Sequence, residues 1–258
     1  MINRFWKLVP VILLIFAFHY NVTAGETVPG GNNEDTVKST AEQEAFQRDR
    51  ELIKQLMLKD QKKDSPGLNV NGVEFELGDS PVNGSASARL IIVEFSDYSC
   101  PHCAGYVKET YPEIYKKYIN PGKIRYAVID YPLPDNNLAV KASEAAYCAG
   151  DQGKFWEMHS AIMHDQESLS DLASIAYFVD LNINKFERCL EIDKYNSRVM
   201  KHISLASGLE IPSVPGFIIA SIDPENPRKV KGITYIRGAK PFELFQQEID
   251  KALADIAK

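Results

Sequence analysis

The chain is 258 residues long, 45% hydrophobic and 25% charged, with a formal net charge of −6 at pH 7. That is ample apolar material for a packed core, and the length holds one large domain, or one domain with an insertion and an appendage. The acidic balance argues against nucleic acid or an anionic membrane surface as a partner.

Residues 1–24 read as a secretory signal. Arg4 and Lys7 supply the positive start, Leu8 to Phe18 the apolar stretch, and Val22-Thr23-Ala24 the small residues for cleavage after Ala24. The apolar stretch is short against the roughly 20 residues of a bilayer span; an uncleaved anchor is the alternative. Cleavage removes Arg4 and Lys7 and no acid, so the charge passes from −6 to −8 over the remaining 234 residues. Export of this kind places the protein in the periplasm, where disulfides form and persist.

Residues 25–66 form a leader. Gly25 to Lys38 is polar and rich in Gly and Asn, the composition of a flexible segment. Ser39-Thr40-Ala41-Glu42 is a capping-box signal, and neither Gly nor Pro interrupts the chain from there to Lys62. Phe46, Ile53 and Leu56 or Met57 share one face, with Arg48, Glu51, Lys54 and Lys59 elsewhere. Residues 39–62 are therefore predicted as a helix with a narrow apolar stripe, ended by Ser65-Pro66-Gly67. The stripe needs cover, either from its own domain or from the same helix of a second subunit.

From Val73 the pattern becomes that of strands. Val73 to Leu77 alternates, and Gly78-Asp79-Ser80-Pro81-Val82-Asn83-Gly84 turns the chain. Leu90 to Phe95 is nearly all apolar, as for a strand covered on both faces. A helix-permissive segment runs from Ala104 to Tyr118. Another strand, Lys123 to Tyr131, is ended by Pro132 and Pro134. Asn137 to about Val199 is helical in character, broken at Gly150 to Gly153 and at Asp180 to Asn184. Strand signals return with Phe217 to Ser221 and Val230 to Ile236, and Pro241 to Ala257 reads as a closing amphipathic helix.

Between the strand at Leu90 and the helix from Ala104 stands Cys100-Pro101-His102-Cys103. Two cysteines at this spacing can close a disulfide across the first turn of a helix. The leading sulfur then faces unsatisfied N–H groups and the positive end of the helix dipole, which favour its thiolate. The chemistry indicated is thiol–disulfide exchange. Half of a zinc site is the rival, but a zinc site usually takes four ligands, and Cys148 and Cys189 stand apart with no second CxxC. An inert structural disulfide is the remaining alternative.

Strand, CxxC at a helix start, strand, helical block, two strands and a helix follow one another in the order of thioredoxin. Phe95-Ser96-Asp97-Tyr98-Ser99-Cys100-Pro101-His102-Cys103 resembles the active-site stretch of the DsbA-type thiol oxidoreductases, whose own centre is CPHC. Gly78 to Val82 and Ala146 to His159 are also similar to phrases common in that family. The resemblance covers roughly residues 68–258 and not the leader. It implies an α/β thioredoxin fold with an inserted helical domain and an N-terminal helical extension. The segments are then 67–134 for the first part of the fold, 135–203 for the helical insertion and 204–258 for the second part.

The resemblance also implies roles. Cys100 is the attacking, substrate-facing thiol and Cys103 the buried resolving one; Pro101 and His102 are the dipeptide of a strongly oxidising centre. A histidine at 102 would stabilise the Cys100 thiolate and so raise the reduction potential, by about 30 mV for each 1.4 kcal/mol; a solvated histidine without redox effect is the plain alternative. Glu94 falls where the family places a buried acid that relays a proton to or from Cys103, although a partly exposed strand carboxylate is an equal reading. Val214-Pro215 resembles the cis-proline loop that faces the CxxC and receives a substrate strand, with Pro212 as a competing position. Gly216 departs from the commoner small or hydroxyl residue there. Cys148 and Cys189 resemble a second, structural pair; closing that loop would stabilise by about 4 kcal/mol on the chain-entropy model, and two buried free thiols are the alternative.

Three functions are open at this point. The first is a dithiol oxidase of exported proteins, reset by a membrane redox partner. The second is a dimeric isomerase or reductase, for which the leader supplies an association segment at residues 39–62. The third is a binding or chaperone module, with the CPHC holding a soft metal in the manner of copper-tolerance proteins. The favoured reading is a self-associating DsbA-like enzyme with oxidase chemistry and some isomerase capacity, requiring neither cofactor nor metal.

Overall fold

The computed structural model describes residues 68–133 and 136–257. The signal segment 1–24, the leader helix 39–62 and the strand-ending Pro134 lie outside the described residues. Six strands are found among those described: β1 (Glu74–Glu76), β2 (Val82–Asn83), β3 (Leu90–Ser96), β4 (Arg125–Asp130), β5 (Gly216–Ile222) and β6 (Lys229–Arg237). They form one mixed sheet in the order β1-β6-β5-β3-β4-β2. β3 and β4 run parallel, β5 is antiparallel to β3, and β6 is antiparallel to β5. Every residue of β3 and β4 is buried, which is why β3 reads as a nearly all-apolar run instead of an alternation.

Helices pack on both faces. α1 (Pro101–Glu109) and α2 (Tyr111–Ile114) follow β3, and α2 passes into a π-turn at Tyr115–Ile119. The helix-permissive segment 104–118 therefore holds parts of two helices and a π-turn. Pro112 lies in the first turn of α2 and has no N–H to continue the ladder of α1. Between β4 and β5 come α3 (Asn137–Gly150), α4 (Phe155–His164), a 3-10 turn (Gln166–Ser170), α5 (Leu172–Phe178), α6 (Ile183–Glu191) and α7 (Asn196–Gly208). Side-chain caps start three of these: Asn136 accepts from the Ala139 N–H, Asp171 from Ser174 and Asn182 from Lys185. α8 (Phe242–Ile256) closes the chain. Among the described residues no helix is long and apolar enough to cross a membrane.

The alternation of β3 decides what each face receives. Leu90 and Ile92 join Tyr126, Val128, Phe217 and Ile219 in a core shared with α1, α3, α4 and α8. Ile91, Val93 and Phe95 join Ala127, Ile129, Ile218 and Ala220 in a second core, to which α7 adds Ala206. α7 thus runs past the boundary drawn at residue 203 and ends on the sheet itself. His202, in its middle, accepts from the Asp130 N–H at 3.1 Å through Nδ1. The segment read as a plain turn at 78–84 holds β2, whose Val82 and Asn83 pair with Ala127 and Tyr126 and cover an edge of β4 that would otherwise be open. Cys148 on α3 and Cys189 on α6 are joined by a disulfide, with Cα atoms 5.8 Å apart.

Candidate active site

β3 delivers the chain to the site and α1 begins there. Cys100 is the N-cap of α1 and Pro101 its first residue, and no side chain caps the turn. The first N–H groups of the helix are therefore left to the Cys100 sulfur. Cys100 and Cys103 are free thiols, but unequal ones: Cys100 is 9% exposed and Cys103 is wholly buried. Only the first can meet a second molecule.

Their acidities diverge for the same reason. The Cys103 thiol hydrogen-bonds to the Cys100 sulfur, and the backbone N–H groups of Cys103 and His102 add to it, lowering the Cys100 pKa from 9.0 to about 6 against burial and the nearby Asp97 charge. Cys103 moves the opposite way. Burial raises it most, followed by its role as donor to Cys100 and the charge of Glu94. At neutral pH the outer sulfur is a thiolate and the inner one is held as a thiol. His102 takes part through its backbone N–H, while the residue itself is exposed.

Val214 and Pro215 face the pair from the loop before β5. The Val214–Pro215 peptide is cis, and the Val214 carbonyl oxygen lies 3.9 Å from Cys100 Sγ. Gly216 has a steric reason. A Cβ there would stand 2.6 Å from Tyr235 Oη and 3.0 Å from the Ser213 carbonyl oxygen, so a side chain at this first residue of β5 would require the Tyr235 ring to shift.

Beneath the pair lies Glu94, fully buried. Tyr126 on β4 donates to its Oε2 at 2.6 Å, while Oε1 has no hydrogen-bond partner. Burial pushes the Glu94 pKa up to about 7 although the Tyr126 bond opposes it. Of the two readings left open by the sequence, the buried acid is the observed one.

The approach to Cys100 is fixed by groups that sequence reasoning did not single out. Asp97 Oδ1 accepts from the Ser99 N–H and hydroxyl, both at 2.7 Å, and Oδ2 accepts from the Leu133 N–H at 2.9 Å. Asn136, the cap of α3, donates to the Ser99 hydroxyl at 2.8 Å. From the 3-10 turn, Gln166 Nε2 donates to the carbonyl oxygens of Tyr98 at 2.6 Å and Cys100 at 3.1 Å. The Tyr98 hydroxyl lies 2.9 Å from Nδ1 of His159, a ring whose pKa burial pushes down to about 4 and which therefore accepts as a neutral imidazole. Asp97 could have been suspected, since an acid two residues before a serine is a turn signal. Gln166 carries no local signal, because its partners lie more than 60 residues away in the chain. Among the described residues no group of three or more His, Cys, Asp or Glu side chains is placed to hold a metal ion.

Comparison with known proteins follows this geometry. A family model described as thioredoxin matches residues 76–236. A relative from Rickettsia prowazekii, named as a protein-disulfide oxidoreductase, is 24% identical over 240 residues, spanning 89% of this chain and 83% of the relative. A second, from Rickettsia conorii and named alike, is 27% identical over 175 residues, spanning 64% of this chain and 62% of the relative. The chain thus matches a little under two thirds of that second protein. Among solved structures, alpha-DsbA1 of Wolbachia pipientis is similar at a TM-score of 0.61 and 26% identity, over 69% of this chain and 93% of that one.

Proposed function

The chain belongs to the thioredoxin family, and from that premise we propose that it is a protein thiol–disulfide oxidoreductase of the DsbA kind, forming disulfides in exported proteins. The observation that carries this reading is the opposed acidity of the two thiols at the start of α1, with the outer one lowered and the wholly buried one raised.

In the oxidising direction a substrate thiolate attacks Cys100 Sγ of the Cys100–Cys103 disulfide. The S–S bond breaks, a mixed disulfide forms at Cys100, and the Cys103 sulfur leaves. Because burial disfavours its thiolate, it takes a proton as it departs, and Glu94, the buried acid whose charge acts on Cys103, supplies it. A second substrate thiolate then attacks its own partner sulfur and expels Cys100, a good leaving group because its pKa is low. Two electrons pass from the substrate to the cysteine pair. The loop at Val214 and Pro215 presents backbone groups beside Cys100 for an extended substrate segment. An oxidant at the membrane resets the pair.

The same reading places the protein in the periplasm after cleavage at Ala24, with residues 39–62 joining two subunits and giving some isomerase capacity. The test is oxidation of a reduced, unfolded substrate and reactivation of a scrambled one by the full mature chain. Both assays are run beside Cys100→Ser and a deletion of residues 25–66. Rapid oxidation lost in Cys100→Ser is the expected result; oxidation that survives the substitution would refute the enzyme. Reactivation lost together with half the solution mass on deletion would support the dimeric isomerase, and an unchanged mass would refute it.

A further inference from the structure

The Glu94 carboxyl sits on the same face of the sheet as Tyr126 and Tyr106, in the core shared with α1. Tyr126 gives its single hydroxyl proton to Glu94 Oε2 at 2.6 Å. The Tyr106 hydroxyl stands 3.0 Å from that of Tyr126, and having no claim on a proton already given away, it donates in turn. The result is a chain of two hydroxyls ending on one oxygen of a buried acid whose other oxygen has no partner. All three residues are essentially inaccessible, at 0% for Glu94 and Tyr126 and 1% for Tyr106. Among the described residues no lysine or arginine is counted with the groups that act on the Glu94 carboxyl. The carboxylate is held by neutral hydroxyls alone, so its charge is favoured by hydrogen bonding and not by a counter-ion.

We propose that Tyr126, backed by Tyr106, is a positioning residue for thiol–disulfide exchange: it acts through Glu94, setting the pH at which that carboxyl can exchange a proton with Cys103. The proposal deepens the oxidoreductase reading and rests on it. The other titratable groups around Glu94 are Cys100 at the N-cap of α1 and Cys103 within it, Tyr111 on α2, Asp130 on β4 and Tyr98 in the loop after β3. The facing residue of β5, Phe217, and the nearby Phe245 of α8 carry no charge. Two hydroxyls bear on the carboxyl as hydrogen-bond donors, Tyr126 most strongly and Ser96 after it, and a hydrogen bond to the charged form favours that form.

The step that reports on this is reoxidation by a small disulfide. Reduced protein attacks glutathione disulfide through the Cys100 thiolate, giving a Cys100–glutathione mixed disulfide and releasing one glutathione thiolate. Glu94 then takes the proton of the Cys103 thiol, the Cys103 sulfur attacks Cys100 Sγ, and the second glutathione leaves as thiolate. Two electrons have passed from the cysteine pair to the glutathione disulfide.

The experiment is acid quenching and mass analysis of this second step between pH 5 and 9, on the full chain. The wild-type rate should rise with a midpoint near the Glu94 pKa of about 7. Tyr126→Phe should move the midpoint up by about one unit, which makes resolution at pH 7 about fivefold slower. Tyr106→Phe, which leaves the direct bond in place, should shift it the same way by less, and serves if Tyr126→Phe folds poorly. Glu94→Gln should flatten the profile, and adding Tyr126→Phe to it should change nothing more. Coincident midpoints for wild type and both tyrosine variants, or an effect of Tyr126→Phe that persists without Glu94, would overturn the proposal while leaving the oxidoreductase reading intact. A wild-type chain that forms no mixed disulfide would overturn both.

Discussion

Replacing Cys103 by alanine tests what makes Cys100 acidic. The largest influence on the Cys100 sulfur is the hydrogen bond from the Cys103 thiol, ahead of the backbone N–H groups of residues 103 and 102. A hydrogen bond to a charged acceptor contributes about 1.5–3 kcal/mol, and one pKa unit corresponds to about 1.4 kcal/mol. Cys103→Ala should therefore raise the Cys100 midpoint by about one to two units, from about 6 to between about 7 and 8. It should stop short of 9.0 because both N–H groups survive. The assay is ultraviolet absorbance of the thiolate against pH, with Cys100→Ser as the blank. Cys148 and Cys189 are silent in it, being joined to each other. A midpoint that stays at the wild-type value would refute the reasoning and assign the acidity to the helix start alone.

The reduction potential should bend with pH at the same place. The lowered Cys100 pKa favours the reduced form above about pH 6, an advantage lost as the pH falls through 6; at pH 7 it is worth about 1.4 kcal/mol, or about 30 mV. Reduction takes up one proton above that pKa and two below it, so equilibration with glutathione should give a slope of about 30 mV per pH unit above and about 59 mV below. One uniform slope from pH 5 to 8 would contradict the assignment. Substituting both Cys148 and Cys189 by alanine should cost about 4 kcal/mol on the chain-entropy model, read as a lower urea midpoint; an unchanged midpoint would mean that the unfolded chain is not restrained by this bridge. Gln166→Ala removes two hydrogen bonds to the backbone entering the site and should destabilise the protein by about 1–3 kcal/mol. Faster amide exchange at Ser99 and Cys100 should accompany it, and exchange equal to wild type would show that Asp97 and Asn136 suffice.

The elements most legible in the sequence were those whose signals are local. β3 is fully buried and read as such, β4 was read as a strand, and the spacing of Cys100 and Cys103 carried their chemistry before any contact was known. The short β2 was read as a turn because two residues in an irregular stretch have no period; only the open edge of β4 makes them a strand. The helix-permissive stretch 104–118 is divided because Pro112 enters a fresh first turn and has no N–H to continue the helix before it. α7 overran its expected boundary because its last turn belongs to the second core, a fact of packing that no helical pattern encodes.

What the sequence determined by itself was a thiol pair at a helix start within a thioredoxin order of elements, since both depend on neighbours a few residues apart. The tertiary structure decided how the two thiols differ, which acid lies beneath them and what holds it. Strand register brings Tyr126 of β4 to Glu94 of β3, and the α1 packing adds Tyr106 to them. Burial then displaces the acidities of Cys103 and Glu94 upward. Desolvation and hydrogen bonding act through space, so a residue's chemistry at this site depends on segments that are far from it in the chain.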